Sequence, residues 1–453
     1  MKWLRYAGDP ETLISMPRST QMVRSLSCGI GIALGLVWAG FASVASAHSV
    51  EVTVEPISVA GLTGAVPVRV LVAVPAEVSR VKRGEWVEGA AAGARLPVQL
   101  TAPGLVSESR IAELPALTDG QVWREAHFLL DAAELQGRWT GKFTIAASGD
   151  GAKADEPGFA WTEKADRWIE LSDRGRPVWR YMFEPLDEST PERRAETYKV
   201  YHHVYDPTGQ RLVTKGPGGL YPHHRGLFYG FNKISYNGRE ADVWHCHHGE
   251  KQAHRTVVAS EAGPILGRHL VNVGWYGQDG APFAEELREL TAYHVDGGLL
   301  LEFASKLTPL VPEVKLAGDP QHAGFQFRAS QEVPDKTAKL TYYVRPDGVG
   351  KPGEFRNWPE NPDHVDLPWL ALSFVLGDQR YTCCYLDSPQ NPKPARYSER
   401  DYGRFGSYFE YTLTKEKPLL VNYRVWLQEG ELQPQQVAAR REAFVAGPVV
   451  KVE

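Results

Sequence analysis

The sequence predicts an all-β protein: a small N-terminal β-sandwich, followed by a much larger unit of two antiparallel sheets packed face to face. Three observations carry this. From Ser49 onward, short runs alternate polar and apolar residues at period two and are broken by Gly, Pro, Asp and Asn turns. Beyond residue 264 the extended runs lengthen and stay regular. Helical periodicity is convincing only at 434–445 (PQQVAARREAFV).

Residues 1–47 read as a signal peptide. Lys2, Arg5, Arg18 and Arg24 form a basic leader, residues 29–44 are apolar, and Ala45-Ser46-Ala47 is a small-residue cleavage site that would leave His48 first. Met22 is an alternative start, because Met22-Val23-Arg24 already supplies a basic region. The apolar run of 16 residues is shorter than the roughly 20 that a membrane span needs. No other segment is apolar enough to cross a bilayer, so a periplasmic or extracellular protein, free of the membrane after cleavage, is expected. Removing four basic and two acidic residues moves the formal charge from -5 to 46 minus 53, or -7. A mildly acidic chain without a basic run excludes nucleic acid as a partner.

Four runs, 51–55, 66–74, 96–100 and 139–146, build the expected N-terminal sandwich over 48–147. His127, alone among apolar neighbours, reads as a strand residue. Residues 148–158 (SGDGAKADEPG) are Gly-rich and charged, a linker between this domain and a second one over 159–453. There, 168–171 and 177–183 form a hairpin around Asp173-Arg174-Gly175, and 191–196 (PERRAE) reads as a solvated loop. Residues 197–205 run into the turn Asp206-Pro207-Thr208-Gly209. Strands are expected at 264–276, 282–295, 298–307, 322–329, 339–344 and 370–386. Cys246, Cys383 and Cys384 remain after processing; the adjacent pair would point to opposite faces of a strand, so free buried thiols are expected.

Eight of the fourteen histidines (His202, His203, His223, His224, His245, His247, His248, His254) fall between 202 and 254, interleaved with aromatics, glycines and Arg225. Imidazole donates, accepts or ligates near neutral pH, so the concentration reads as a site. Two chemistries remain open. A divalent metal could draw three or four ligands from the cluster, with His322, Glu250 or Asp242 added. No HExxH or CxxC spacing requires this, so no residue is assigned to a metal and the cofactor stays unknown. Alternatively, a metal-free pocket of His, Arg and Tyr would bind a polyhydroxylated or carboxylated ligand and move protons. No Gly-x-Ser-x-Gly elbow, phosphate loop or dinucleotide fingerprint is present. A second constellation lies at 386–392 and 399–406, where Asp387, Asn391, Arg400 and Tyr402 suit a pocket wall.

These pieces occur together in one known family. YHHVYDPTG (201–209), Pro222-His223-His224-Arg225-Gly226-Leu227, Val243-Trp244-His245, His254-Arg255, His322-Ala323-Gly324, Asp387-Ser388-Pro389-Gln390-Asn391-Pro392 and Arg400-Asp401-Tyr402-Gly403 stand in the same order as in a bacterial family labelled "methane oxygenase PmoA". Over roughly 175–430 the chain resembles that family. The label echoes an integral membrane subunit, and this chain has no span to match it. The resemblance implies a β-supersandwich like the galactose mutarotase fold, in exported proteins associated with carbohydrate breakdown. One departure is Ser398, where the family usually has a histidine shortly before Arg-x-Tyr-Gly.

The reading is an exported carbohydrate-active enzyme, a hydrolase or lyase, acting on a sugar, sugar acid or oligosaccharide. His224, His245, Tyr402 and Asp387 are the expected catalytic groups; His223, Arg225, His254, His322, Asn391 and Arg400 are the expected substrate contacts. A non-catalytic carbohydrate-binding protein and a metal-dependent oxygenase are the alternatives.

Overall fold

The computed structural model describes residues 47–57, 61–78, 83–89, 96–146, 158–446 and 450–452. The expected signal peptide, apart from Ala47, and all but Gly158 of the expected linker lie outside them. The chain is all-β as expected, and its strands form four antiparallel sheets.

The N-terminal sheet has seven strands, running from Ala65–Pro75 at one edge through to Ala47–Val54, whose outer neighbour is the C-terminal strand Val450–Val452. Ala65–Pro75 buries every second residue: Val66, Val68, Val70, Val72 and Val74 share one core with Val50, Val52 and Val54 from near the opposite edge. The sheet therefore rolls over on itself. It keeps an apolar core of its own. Val450–Val452, expected with the larger C-terminal domain, pairs with Val52 to Val54 of this sheet.

Two large sheets, one of eight strands and one of nine, and a small sheet of four form the rest of the described residues. The inward side chains of both large sheets meet in a single apolar core, including Trp179, Tyr229, Phe325 and Phe405 from one sheet and Trp275, Phe303, Tyr385 and Tyr423 from the other. Adjacent Cys383 and Cys384 face two different cores, as period-two geometry requires, and all three described cysteines are free and buried. The run 370–386 is two strands, Trp369–Leu376 and Gln379–Asp387, hinged at Gly377 with φ +60°. The charged stretch expected as a loop is the helix Pro191–Thr197: Thr190 Oγ1 accepts from Arg193 N–H and Pro191 takes the first turn, where its missing N–H costs nothing.

The eight-stranded sheet positions the site, because its strands Tyr201–Val204, Leu227–Phe231, Ala323–Arg328 and Arg404–Tyr408 are buried on both faces. In Leu227–Phe231, Leu227, Tyr229 and Phe231 enter the main core, while Phe228 points the other way and packs with Tyr201 and Trp244. That second apolar patch is the floor on which the histidine loops sit. His202 illustrates the alternation. It faces inward and meets His269 of the nine-stranded sheet, Nε2 to Nε2 at 2.9 Å, so it belongs to the core.

Buried ion pairs tie the N-terminal sheet to the nine-stranded sheet. Glu302 accepts from Arg69 at 3.0 Å and from Arg424 at 2.7 Å. Burial works to raise the Glu302 carboxyl, but Arg69 and then Arg424 hold it at about 2, below its ordinary 4.5. A depressed acid stabilises the fold above its unfolded pKa, and that contribution is lost as pH falls from about 4.5 towards 2. Glu302→Gln should therefore cost about 3 kcal/mol at pH 7. In denaturant melts against wild type the gap should close through that window; a pH-independent gap refutes the assignment.

Candidate metal centre

Four loops converge on the outer face of the eight-stranded sheet, above Phe228 and Trp244. The loop before Leu227–Phe231 carries Tyr221, His223 and His224. The turn after the short strand Arg239–Ala241 carries Asp242 and His245, and the turn before Ala323–Arg328 carries Asp319 and His322. The hairpin turn between Arg396–Arg400 and Arg404–Tyr408 carries Tyr402.

His223, His245 and His322 each offer a ring nitrogen, and these three atoms lie within 4.8 Å of one another. The ring centroids are 4.5 Å apart for His223 and His245, 4.9 Å for His245 and His322, and 6.0 Å for His223 and His322. Two of the three are oriented by carboxylates. His245 Nδ1 faces Asp242 Oδ2 at 2.7 Å, and His322 Nδ1 faces Asp319 Oδ1 at 2.9 Å. Each imidazole is left with Nε2 free for a ligand. The carboxylates are themselves held: Asp242 Oδ1 accepts the N–H groups of Trp244 and His245, and Asp319 accepts from Asn232 Nδ2 and Gln321 N–H. Burial works against both charges, yet hydrogen bonds from the histidines keep Asp242 below its usual range and Asp319 at about 2.

His223 Nε2 is buried without a partner, and His224, 1% exposed, has no partner at either ring nitrogen. Burial first, and Lys199 next, push His223 down to about 2. Burial first, and then His223, Arg404, Arg328 and Lys199, hold His224 well below the usual histidine range. Both are neutral at pH 7 with lone pairs available. The His224 ring lies 6.2 Å from Tyr402 and nearly parallel to it, and Tyr402 is 5.0 Å from Tyr221. Tyr221 is 44% exposed with φ +55°, and Cys246, beside His245, has φ +57°. Two non-glycine residues in the left-handed region flank the cluster, and such strain, of about 1–3 kcal/mol each, collects at sites. A cavity of about 380 Å³ adjoins the centre, lined by Asp319, His322, Trp358, Tyr408 and Glu410 among others.

The structure thus brings His223, His224, His245, His322 and Tyr402 together, and groups three imidazoles where the sequence reading assigned no metal ligand. The other expected site residues lie elsewhere. Arg225 is fully buried and donates to the carbonyls of Pro222, Ala195 and Glu196 while stacking on Tyr198 at 4.2 Å, so it holds the loop and does not face a ligand. Asp387, with its pKa raised by burial, bonds Asn391, Lys393 and Tyr397, and Asn391 also bonds Asn422; together they close a turn. His254 sits on Lys251–Ala262 against Tyr181 and Phe183. Arg400 is half-buried, bonded to Asn357 at 2.5 Å and stacked over Phe355. Ser398, the departure noted above, bonds Asn357 and Arg404 beneath the hairpin. His247 is exposed and stacks on His245 at 5.4 Å.

Sequence reasoning missed Asp319 and the orienting role of Asp242. The signal was present: Asp242-Val-Trp-His245 and Asp319-Pro-Gln-His322 are two Asp-x-x-His motifs. That spacing closes a side-chain-capped turn in which the aspartate reaches its own histidine.

The sequence profile that matches the chain, over residues 168–442, is described as "Family of unknown function (DUF6807)". This corrects the expected resemblance, because the match is not to a PmoA-like family and that label is unsupported. No functionally curated protein matches. Among solved structures, a glycosyl hydrolase family 38 protein from Enterococcus faecalis aligns at 8% identity and TM-score 0.42, over 89% of this chain and 47% of that one. An alpha-mannosidase from Enterococcus faecalis V583 aligns at 10% identity and TM-score 0.36, over 89% and 46%. The chain spans about half the length of these proteins. No described helix is long and apolar enough to cross a membrane.

Proposed function

The chain belongs to DUF6807, a family of unknown function, and we propose from the site itself that it is a metal-dependent enzyme acting on a carbohydrate-type substrate, hydrolase or lyase in class. The observation that carries this is the set of three imidazoles within 4.8 Å, two of them backed by carboxylates. A histidine that ligates a metal almost always gives its other ring N–H to a carboxylate, carbonyl or water. Three protein ligands with an open side is the catalytic form of such a site, whereas structural sites close with four. Neutral nitrogen donors suit a first-row divalent ion, which would supply Lewis-acid activation of a substrate oxygen or of water.

The protein's own groups supply the rest. His224, neutral and uncommitted at both nitrogens, is placed to hydrogen-bond the substrate, and Tyr402 borders it as a donor. Tyr221 and the Trp358 side of the adjoining cavity offer flat faces of the kind that stack on sugar rings. The expected export to the periplasm or exterior fits a substrate of this type and remains part of the proposal.

Elemental analysis of purified protein tests the reading. One equivalent of a transition metal is expected, with turnover of oligosaccharides that stops on chelation and returns on re-addition. Protein that cleaves sugar at full rate without metal overturns the metal reading, and sugar bound without turnover indicates a binding protein. The carboxylates give a finer test: Asp242→Asn and Asp319→Asn should each weaken metal affinity about 10–100-fold, read by competition with a chromogenic chelator. Unchanged affinity in both would remove the assigned role of the carboxylates.

A further inference from the structure

Other buried cations among the described residues are matched to carboxylates: Arg268 to Glu125, Arg288 to Glu286, Arg345 to Glu399 and Arg424 to Glu302. Around the histidine centre this rule fails. Lys199, Lys215, Arg225, Arg328 and Arg404 are each at most 4% exposed, and among the described residues none has a carboxylate within ion-pair distance. They bond the carbonyls of the site's own loops instead. Lys199 Nζ donates to Trp244 O at 2.5 Å, and Lys215 Nζ to Tyr221 O and His224 O at 3.2 and 3.3 Å. Arg328 donates to Tyr402 O while stacking on its ring at 4.9 Å, with Nε and Nη2 unpartnered. Arg404 reaches Gln326 Oε1 at 3.2 Å and leaves Nε unpartnered.

The carboxylates that hold the site's histidine loops are spoken for: Asp242 and Asp319 by the histidines, and buried Glu250 by Gln278 Nε2 and the N–H groups of Asp242 and His248. Burial lowers the Lys199 and Lys215 ammoniums to about 7, so that a nearby anion would draw both fully into the charged form, while the guanidiniums of Arg225, Arg328 and Arg404 are charged without a paired carboxylate. An uncompensated buried charge is costly, so the excess is kept for something that offsets it. In a dry site that field acts over several ångströms without contact.

We infer that the centre is built for an anionic substrate, a polyhydroxylated molecule carrying a carboxylate or a sulfate ester, with its charged oxygens at the His223, His245 and His322 centre above this cationic floor. The inference rests on the proposed location of the site but not on the metal, because the cations are part of the protein. Half-buried Tyr402 and His223 face the ligand, and the adjoining cavity beside His322 takes the uncharged remainder.

Isothermal titration tests it on the full protein, run both metal-loaded and chelator-treated, with metal content measured separately so that failure of the metal reading shows as an empty site and not as lost anion binding. The probes are a trigalacturonate, a sulfated galactose disaccharide and the neutral trigalactoside. One of the two anionic probes should bind at least tenfold more tightly than the neutral one, with affinity falling as salt rises, and which of them binds identifies the anionic group. Lys199→Met and Arg404→Gln should each weaken that probe about tenfold or more and leave the neutral sugar unaffected, with melting curves confirming the fold. Equal affinity for neutral and anionic probes overturns the inference, as does no binding of either anion. Anion binding that both variants leave unchanged overturns it too.

Discussion

Alanine in place of any one of His223, His245 or His322 is expected to empty the centre of metal and to lower turnover on the order of 10³-fold, which is about 4 kcal/mol of transition-state stabilisation. The reason is numerical: a three-ligand site that loses one imidazole keeps two, too few to compete with water for a first-row ion. The fold should survive. After His245→Ala, Asp242 still accepts the backbone N–H groups of residues 244 and 245, and after His322→Ala, Asp319 keeps Asn232 and Gln321, so neither carboxylate is orphaned. His224→Ala is the informative contrast, because its nitrogens are not among the three that converge. It should retain metal and lose turnover. Elemental analysis, melting curves and single-turnover rates on the four variants separate these outcomes. Full metal content in all three triad variants would refute the centre.

The all-β class was legible because period-two alternation and turn residues are local signals, and the helix Pro434–Val445 coincides with the one convincing helical run. Local signals misled where capping decided the outcome. Residues 191–196 look like solvated charge, yet Thr190 followed by Pro191 nucleates a helix whose last carbonyls then bind Arg225. That contact also explains the misreading of Arg225. An arginine amid histidines looks like an anion anchor, but its partners are carbonyls some thirty residues earlier, and no spacing rule reaches them. The histidine count misled in a similar way. His202 and His203 are neighbours on one strand, so one must face the core; His202 meets His269 there, while His203 faces out and bonds Thr214. His254 is spent on Tyr181. Asp387 and Asn391 looked like a pocket wall because turn formers and pocket residues share a vocabulary of Asp, Ser, Pro and Asn; the hydrogen bonds inside the turn decide between them. What sequence held and reasoning passed over was the repeated Asp-x-x-His, a local motif whose meaning emerges only when two distant copies meet.

Gly226→Ala should cost about 3–5 kcal/mol and loosen metal binding with it. Gly226 has φ +51°, and a Cβ there would stand 2.0 Å from the carbonyl oxygen of His202, a backbone atom that cannot swing aside. The glycine is also tied on both sides, donating to Lys215 O and accepting from Arg328 N–H, each at 2.8 Å. It is the joint between the histidine loop and Leu227–Phe231, where Leu227 pairs with His202. Two effects would contribute: a left-handed backbone, costing a β-carbon roughly 1–2 kcal/mol, and a steric clash that must push two core strands apart. Gly218→Ala separates them, because Gly218 has φ +81° and a methyl added there would meet nothing within 4 Å. It should show the backbone cost alone, near ~1 kcal/mol, and keep metal. If the two variants melt together, the close approach at His202 is not what fixes the loop. If Gly226→Ala alone is destabilised and sheds metal, then the strand pairing that builds the core is also what sets His223 and His224 in place.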